Sequence, residues 1–185
     1  MSTLAEAIFY NWHVWLVAVV MVIAAIIDGM ILKVPNWLTY PFIISGWVFG
    51  TMTYGWSGLG YALLGTLIGL LPLLAVRSVG GMGAGDVKLQ AGLGAWLGAT
   101  VAWWTFLYAV MVGGVIALVM VAVSGKWFKH YAMFRQIAHE WMTIRNPEKL
   151  SAIARERKPE MTLLPYGIPM AIGSIIYFFT AGMLV

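Results

Sequence analysis

The chain has no cysteine. Structural disulfides, Cys-ligated zinc, iron–sulfur clusters and thiol nucleophiles are therefore excluded. Its histidines, His13, His130 and His139, are scattered, and neither a metal site nor a cofactor is expected. Charge is scarce: Asp, Glu, Lys and Arg make up 10% of residues, against roughly a quarter in a soluble domain. Aspartate is scarcer still, with only Asp28 and Asp86 in 185 residues. The first twelve residues hold Glu6 but no Lys or Arg, so they lack the basic start of a secretory signal. The first apolar stretch is expected to be a retained transmembrane helix.

What fills the chain is apolar. Hydrophobic residues make up 62% and mean hydropathy is +0.87. These values predict an all-α, polytopic membrane helix bundle, with residues 1–185 forming one membrane-embedded domain. The net charge of +4 points to topology and anionic headgroups rather than to nucleic acid.

A span needs about 20 apolar residues, somewhat fewer at its short limit. The first runs from about Phe9 to Leu32, with Asp28 near its end and the break Lys33-Val-Pro-Asn36 after it. The second covers about Trp37 to Tyr54 and the third about Leu59 to Val76. Val87 to Val123 is too long for one crossing. It divides near Gly98–Thr100, where Trp96, Trp103 and Trp104 suggest headgroup level. The last span is about Leu163 to Val185, giving six. With six spans all eleven Lys and Arg fall on one side, which the positive-inside rule makes cytoplasmic. Asp28 and Asp86 then lie near that face, 58 residues apart in sequence, and both chain ends lie on the other side. The polar stretch from 125 to 162 becomes a cytoplasmic loop between the fifth and sixth spans. In it Trp127, Tyr131, Phe134, Ala138 and Trp141 recur at helical spacing opposite Lys129, Gln136, His139, Glu140 and Thr143, as in a helix lying on the membrane surface. Asn146-Pro147-Glu148 reads as the start of a second short helix ending near Lys158.

An ionisable group at membrane depth is a functional candidate by default. Two carboxylates that share a site do not both ionise readily and hold one proton between them. One can then take a proton from water while the other donates to a carbonyl oxygen, the logic of aspartic proteases. The structural alternative pairs Asp28 with Lys33 or Arg77, and Asp86 with Lys88. Gly81, Gly83 and Gly85 strip side chains from alternate positions before Asp86. Such backbone is tolerated in a membrane where it is buried in protein or lines a watery cavity. Small-residue helix packing is the alternative there, and Gly113-Gly114 is assigned to it.

Gly83-Ala-Gly85-Asp86-Val-Lys88-Leu89 resembles the GxGD motif of the type IV prepilin peptidases, a group of membrane aspartyl proteases. Asp28 followed by Val34-Pro35-Asn36-Trp-Leu38-Thr39 is similar to their first-aspartate segment. Leu164-Pro165-Tyr166-Gly167-Ile-Pro-Met-Ala171 resembles their last-helix segment. The resemblance covers nearly the whole chain. It implies removal of a short basic leader from prepilin or pseudopilin precursors at the inner-membrane surface, with Asp28 and Asp86 as the catalytic pair and no cofactor. Larger bacterial members carry an extra domain with paired cysteines, and many N-methylate the new terminus. This sequence is closer to the short members associated with tight-adherence (Flp-type) pili, and no methyltransferase activity is expected.

Of the other motif residues, Lys88 has two readings, a field that keeps Asp86 ionised or an interfacial lysine reaching for headgroups. Pro35 and Asn36 are expected to end the first helix and cap the second. Pro165, Tyr166 and Gly167 match the family without an assigned chemical role. Three other functions stay open: a small proton- or ion-coupled transporter, a non-catalytic subunit of a secretion machine, and a GxGD protease with other membrane substrates. The oligomeric state is not legible.

Overall fold

A computed structural model describes residues 9–78, 82–125, 127–144, 149, 152–153 and 165–184. The ordered elements among them are helices: α1 (Trp12–Ile31), α2 (Asn36–Ser78), α3 (Ala84–Ser124), α4 (Trp127–Thr143) and α5 (Gly167–Thr180). The chain is a membrane protein, and α1, α2 and α3 are each long and apolar enough to cross a bilayer. α1 is twenty residues, or roughly 30 Å of helix. It stops where Leu32 turns left-handed (φ 53°) and its N–H bonds the Asp28 carbonyl at 2.8 Å. Asp28 therefore sits in the last turn.

α2 and α3 would each exceed about 60 Å if straight. Neither is. α2 breaks at Gly55 (φ 65°, ψ −148°) and α3 at Gly98 (φ 84°, ψ 174°), dihedrals open to glycine because it has no Cβ. Trp47 Nε1 donates to Thr66 Oγ1 at 2.9 Å across nineteen residues, which would be roughly 28 Å apart along one helix. Gln90 Nε2 likewise donates to the Ala102 carbonyl at 2.9 Å and to Thr105 Oγ1 at 3.0 Å. Both helices are thus hairpins, with arms 36–54 and 56–78 in α2 and 84–97 and 99–124 in α3. With α1 and α5 this makes six apolar helical segments among the described residues.

The segments pack backbone to backbone. A Cβ on Gly65 would overlap the Gly94 carbonyl, and one on Gly69 the Gln90 carbonyl, so arm 56–78 runs antiparallel to arm 84–97. Gly46 lies against Ala95, Gly92 against Phe42 and Gly85 against Val34, so arm 36–54 runs parallel to the same arm. Gly173 meets Ala109 and Gly113 meets Pro169, which fixes α5 antiparallel to arm 99–124, whereas Gly114 faces open space. Lipid offers no hydrophobic drive between helices, so close approach through small residues replaces it. At the Gly55 and Gly98 end the Trp96 indole donates to the Phe42 carbonyl at 3.0 Å and stacks on Phe49 at 4.9 Å. Trp103 and Trp104 are about half exposed.

α4 forms on the segment whose periodicity predicted it, with Phe128, Tyr131, Phe134 and Met142 exposed. The second loop helix expected at 146–158 lies largely outside the described residues. The helix-packing account predicts that Gly65→Ala destabilises the detergent-solubilised protein by about 1–3 kcal/mol through overpacking. Gly60→Ala, where nothing lies within 4 Å, is expected to be neutral or slightly stabilising. Denaturant unfolding of the two variants distinguishes them, and equal effects would contradict the packing account.

Candidate active site

The three resemblance segments lie far apart in sequence and meet at one end of the bundle. α1 ends there, and α2, α3 and α5 begin there. Asp28 Oδ2 accepts the backbone N–H of Gly167 at 2.8 Å, across 139 residues. Gly167 is the first residue of α5, so its N–H is one of the helix's orphan donors. A carboxylate at the C-terminal end of its own helix is badly placed for the dipole, and the N-terminus of α5 offsets this. The contact leaves no room for a side chain at 167: a Cβ would stand 2.9 Å from Asp28 Cβ and 3.1 Å from its Oδ2.

Asp86 is the third residue of α3. Its Oδ2 accepts the N–H of Gly83 at 3.2 Å, the acidic half of a capping box. Its Oδ1 is buried and takes no hydrogen bond from the described residues. Asp28 and Asp86 are 3% and 5% exposed, which is rare for carboxylates without a cation. Both lie at the end of the bundle where α1 stops and α3 and α5 begin, and Tyr166 directly precedes the Gly167 N–H that Asp28 accepts. Two buried acids so placed can hold one proton between them. Each uses one oxygen to satisfy a helix N-terminus.

The ion pairs of the structural alternative do not form among the described residues. Lys88 turns from Asp86 toward α2. Its ammonium donates to Asn36 Oδ1 and to Tyr40 Oη, both at 2.9 Å, and lies 4.3 Å from the Tyr40 ring centre. Lys88 thus ties the start of α3 to the start of α2, where Val34 sits against Gly85. Asn36 opens α2, but its side-chain oxygen serves Lys88. The Pro35 carbonyl instead accepts from Leu38 and Thr39 at 3.2 and 3.3 Å. α1 has already stopped at Leu32, before Pro35. Pro165 and Tyr166 lead into α5, with the Tyr166 ring 3.5 Å from where a Gly113 Cβ would stand. Tyr40 was not anticipated, since its partner lies 48 residues away. Nor was the clasp made by Gln90, a polar residue in an apolar run that periodicity does not interpret. Among the described residues no group of three or more His, Asp or Glu gathers as a metal site would require.

Residues 15–118 match the type IV leader peptidase family, a stretch that holds both aspartates and more than half of the chain. The chain is 34% identical over 109 residues to a prepilin leader peptidase/N-methyltransferase of Neisseria gonorrhoeae, covering 55% of this chain and 38% of that protein. It is 39% identical over 79 residues to a protein of the same name from Aeromonas hydrophila, covering 39% and 26%. A third, from Aeromonas salmonicida strain A449, is 34% identical over 99 residues, covering 50% and 33%. The matches thus span less than two fifths of these curated relatives' length. No solved structure matches. The chain belongs to the type IV leader peptidase family.

Proposed function

We propose that this protein is a membrane aspartyl endopeptidase that removes the short basic leader from prepilin-like precursors. The observation that carries the reading is the convergence of Asp28, Asp86 and the Gly167 N–H at one buried end of the bundle. All six apolar segments cross the inner membrane in this reading. The Asp end faces the cytoplasm, because Lys33, Arg77 and Lys88 lie there and no Lys or Arg occurs at the Gly55 and Gly98 turns. The precursor's basic leader stays cytoplasmic and its apolar helix lies in lipid, so the scissile peptide reaches the level of the carboxylates.

The chemistry needs only the pair. With one proton shared, the ionised carboxylate takes a proton from a water whose oxygen attacks the scissile carbonyl carbon. The protonated partner donates to the carbonyl oxygen, giving a tetrahedral gem-diol. Collapse breaks the C–N bond, and the amine leaves with a proton returned from the pair. The helix-terminal N–H groups of Gly167 and Gly83 hold the carboxylates in place throughout. N-methyl transfer, the second activity in the relatives' names, is not part of the proposal.

Asp28→Asn and Asp86→Asn each keep an oxygen for Gly167 or Gly83, so both variants should fold. Each should lower leader removal by about 10²–10⁴-fold or more, read by mass spectrometry of a precursor incubated with protein in vesicles. Full cleavage by either variant would sink the proposal. Gly167→Ala forces the Asp28 carboxylate to move by a few tenths of an ångström or more. The expected result is a fall of up to about 10²-fold in kcat, together with a lower melting temperature, because the nearest atom, Asp28 Cβ, is fixed to α1. An unchanged rate would show that the Gly167–Asp28 contact does not position the acid.

A further inference from the structure

Five buried side-chain polar atoms have no hydrogen-bond partner among the described residues: Trp15 Nε1, Thr39 Oγ1, Asp86 Oδ1, Gln90 Oε1 and Ser174 Oγ. A buried polar group left without a partner costs more than its bond would contribute, so each calls for an explanation. Trp15 stands apart, in the first turn of α1 and far from Asp28. Helix register brings the other four together. Gln90 follows Asp86 by one turn of α3, on the same face. Thr39 lies between Val34 and Phe42, which pack on Gly85 and Gly92, so it is level with the turn from Asp86 to Gln90. Gln90 bonds Thr105, Ala109 follows one turn nearer the acids, and Gly173 packs on Ala109. Ser174 is therefore level with Asp86. All four lie within roughly 6 Å of depth. Thr39, Gln90 and Ser174 are at most 1% exposed, so the layer is closed to lipid.

The chemistry of these atoms selects what joins them. Gln90 Nε2 spends both hydrogens, on the Ala102 carbonyl at 2.9 Å and on Thr105 Oγ1 at 3.0 Å. A carbonyl only accepts, so the amide has one orientation and Oε1 is left as an acceptor. The clasp between the two arms of α3 uses the Nε2 half of Gln90 and does not explain the other half. Asp86 Oδ1 is an acceptor too when the carboxyl is ionised, and Gly83 already holds Oδ2. Two acceptors do not bond each other. A water donates to both, and its oxygen accepts from a hydroxyl. The Ser174 and Thr39 hydroxyls are unpartnered donors at that height.

We infer that Gln90 is a positioning residue that holds an ordered water against Asp86 Oδ1, in a closed polar layer one turn inside the acid end. The inference rests on the peptidase reading above and adds what sets the Asp86 carboxylate. With the Gly83 N–H on Oδ2 and the water on Oδ1, its plane is fixed without a cation. This water is not the one that attacks, since both its hydrogens are engaged.

Two variants separate holding a water from clasping two arms. Thr105→Val removes one clasp partner and leaves Oε1 in place. Gln90→Met removes the clasp and the acceptor together. Both should lower the melting temperature. Gln90→Met should also lower kcat for a precursor in vesicles at least about tenfold, with KM within about twofold, whereas Thr105→Val should leave kcat within about twofold. Equal kcat for the two, at equal folded fractions, would overturn the inference and leave Gln90 a clasp alone. Ser174→Ala gives a readout independent of activity. Removing a dry, unbonded hydroxyl leaves a protein as stable or more stable, whereas removing one that donates to a bound water lowers the melting temperature. A fall is expected, and no change or a rise would overturn the wet layer. Cleavage that requires sodium, compared with choline, would put a cation in the layer and also overturn it. If the unmodified protein cuts no precursor, the peptidase reading fails, and the Ser174→Ala melting temperature still decides whether the layer holds water.

Discussion

The close approach of helix backbones through glycine is the constraint on which the rest of this structure depends. In lipid, neighbouring helices gain nothing by hiding apolar side chains from one another, and association rests on van der Waals fit. Here Gly65 and Gly94 bring two arms so near that either would lose the contact on gaining a methyl group. Gly69 against Gln90 and Gly85 against Val34 continue the same seam toward the Asp end. The seam sets the height and rotation of α3, and through them where Asp86 emerges. A shift of one residue along it would turn Asp86 about 100° around the helix, away from α1 and α5.

Both acids serve the fold before they serve any chemistry. Asp28 satisfies the first N–H of α5, and Asp86 satisfies the N–H that precedes α3. In water such caps contribute on the order of 1 kcal/mol and are replaceable by Ser, Thr or Asn. A neutral cap would serve as well at these two positions and would avoid the cost of burying a carboxylate. The presence of aspartate at both, with Oδ1 of Asp86 buried and unpartnered by the described residues, is therefore not accounted for by capping. The proposed shared-proton pair does account for it.

Much of this was legible in the sequence, and what was not has a physical pattern. Apolar run lengths located α1 and the four arms, and Gly55 and Gly98 fall where turns were expected, because glycine is the residue that can take those dihedrals. The two aspartates stood out by rarity alone. What remained hidden were contacts between elements. Periodicity describes one helix at a time and does not report that Lys88 reaches Tyr40 or that Gln90 clasps Thr105. The partners of Trp96 were hidden for the same reason: its indole donates to the Phe42 carbonyl, which also accepts from Ser45 Oγ at 3.0 Å, and stacks on the Phe42 and Phe49 rings.

The placement of the acids at an end of the bundle, and not at mid-depth, follows from the backbone. Non-helical chain within a membrane must be buried in protein or line a cavity that holds water. Among the described residues three irregular segments meet at one end: Leu32 to Pro35, Met82–Gly83, and Pro165–Tyr166. That end is where peptide groups are least committed to helix bonds. An enzyme that must bring water and an extended peptide together beneath a lipid surface has few other places to do so. The opposite end holds two glycine turns and the aromatic cluster of Trp12, Phe49 and Trp96, with no Asp or Glu among the described residues there. In the proposed reading, a precursor helix that lies in the bilayer meets the acids by presenting the end nearest to them.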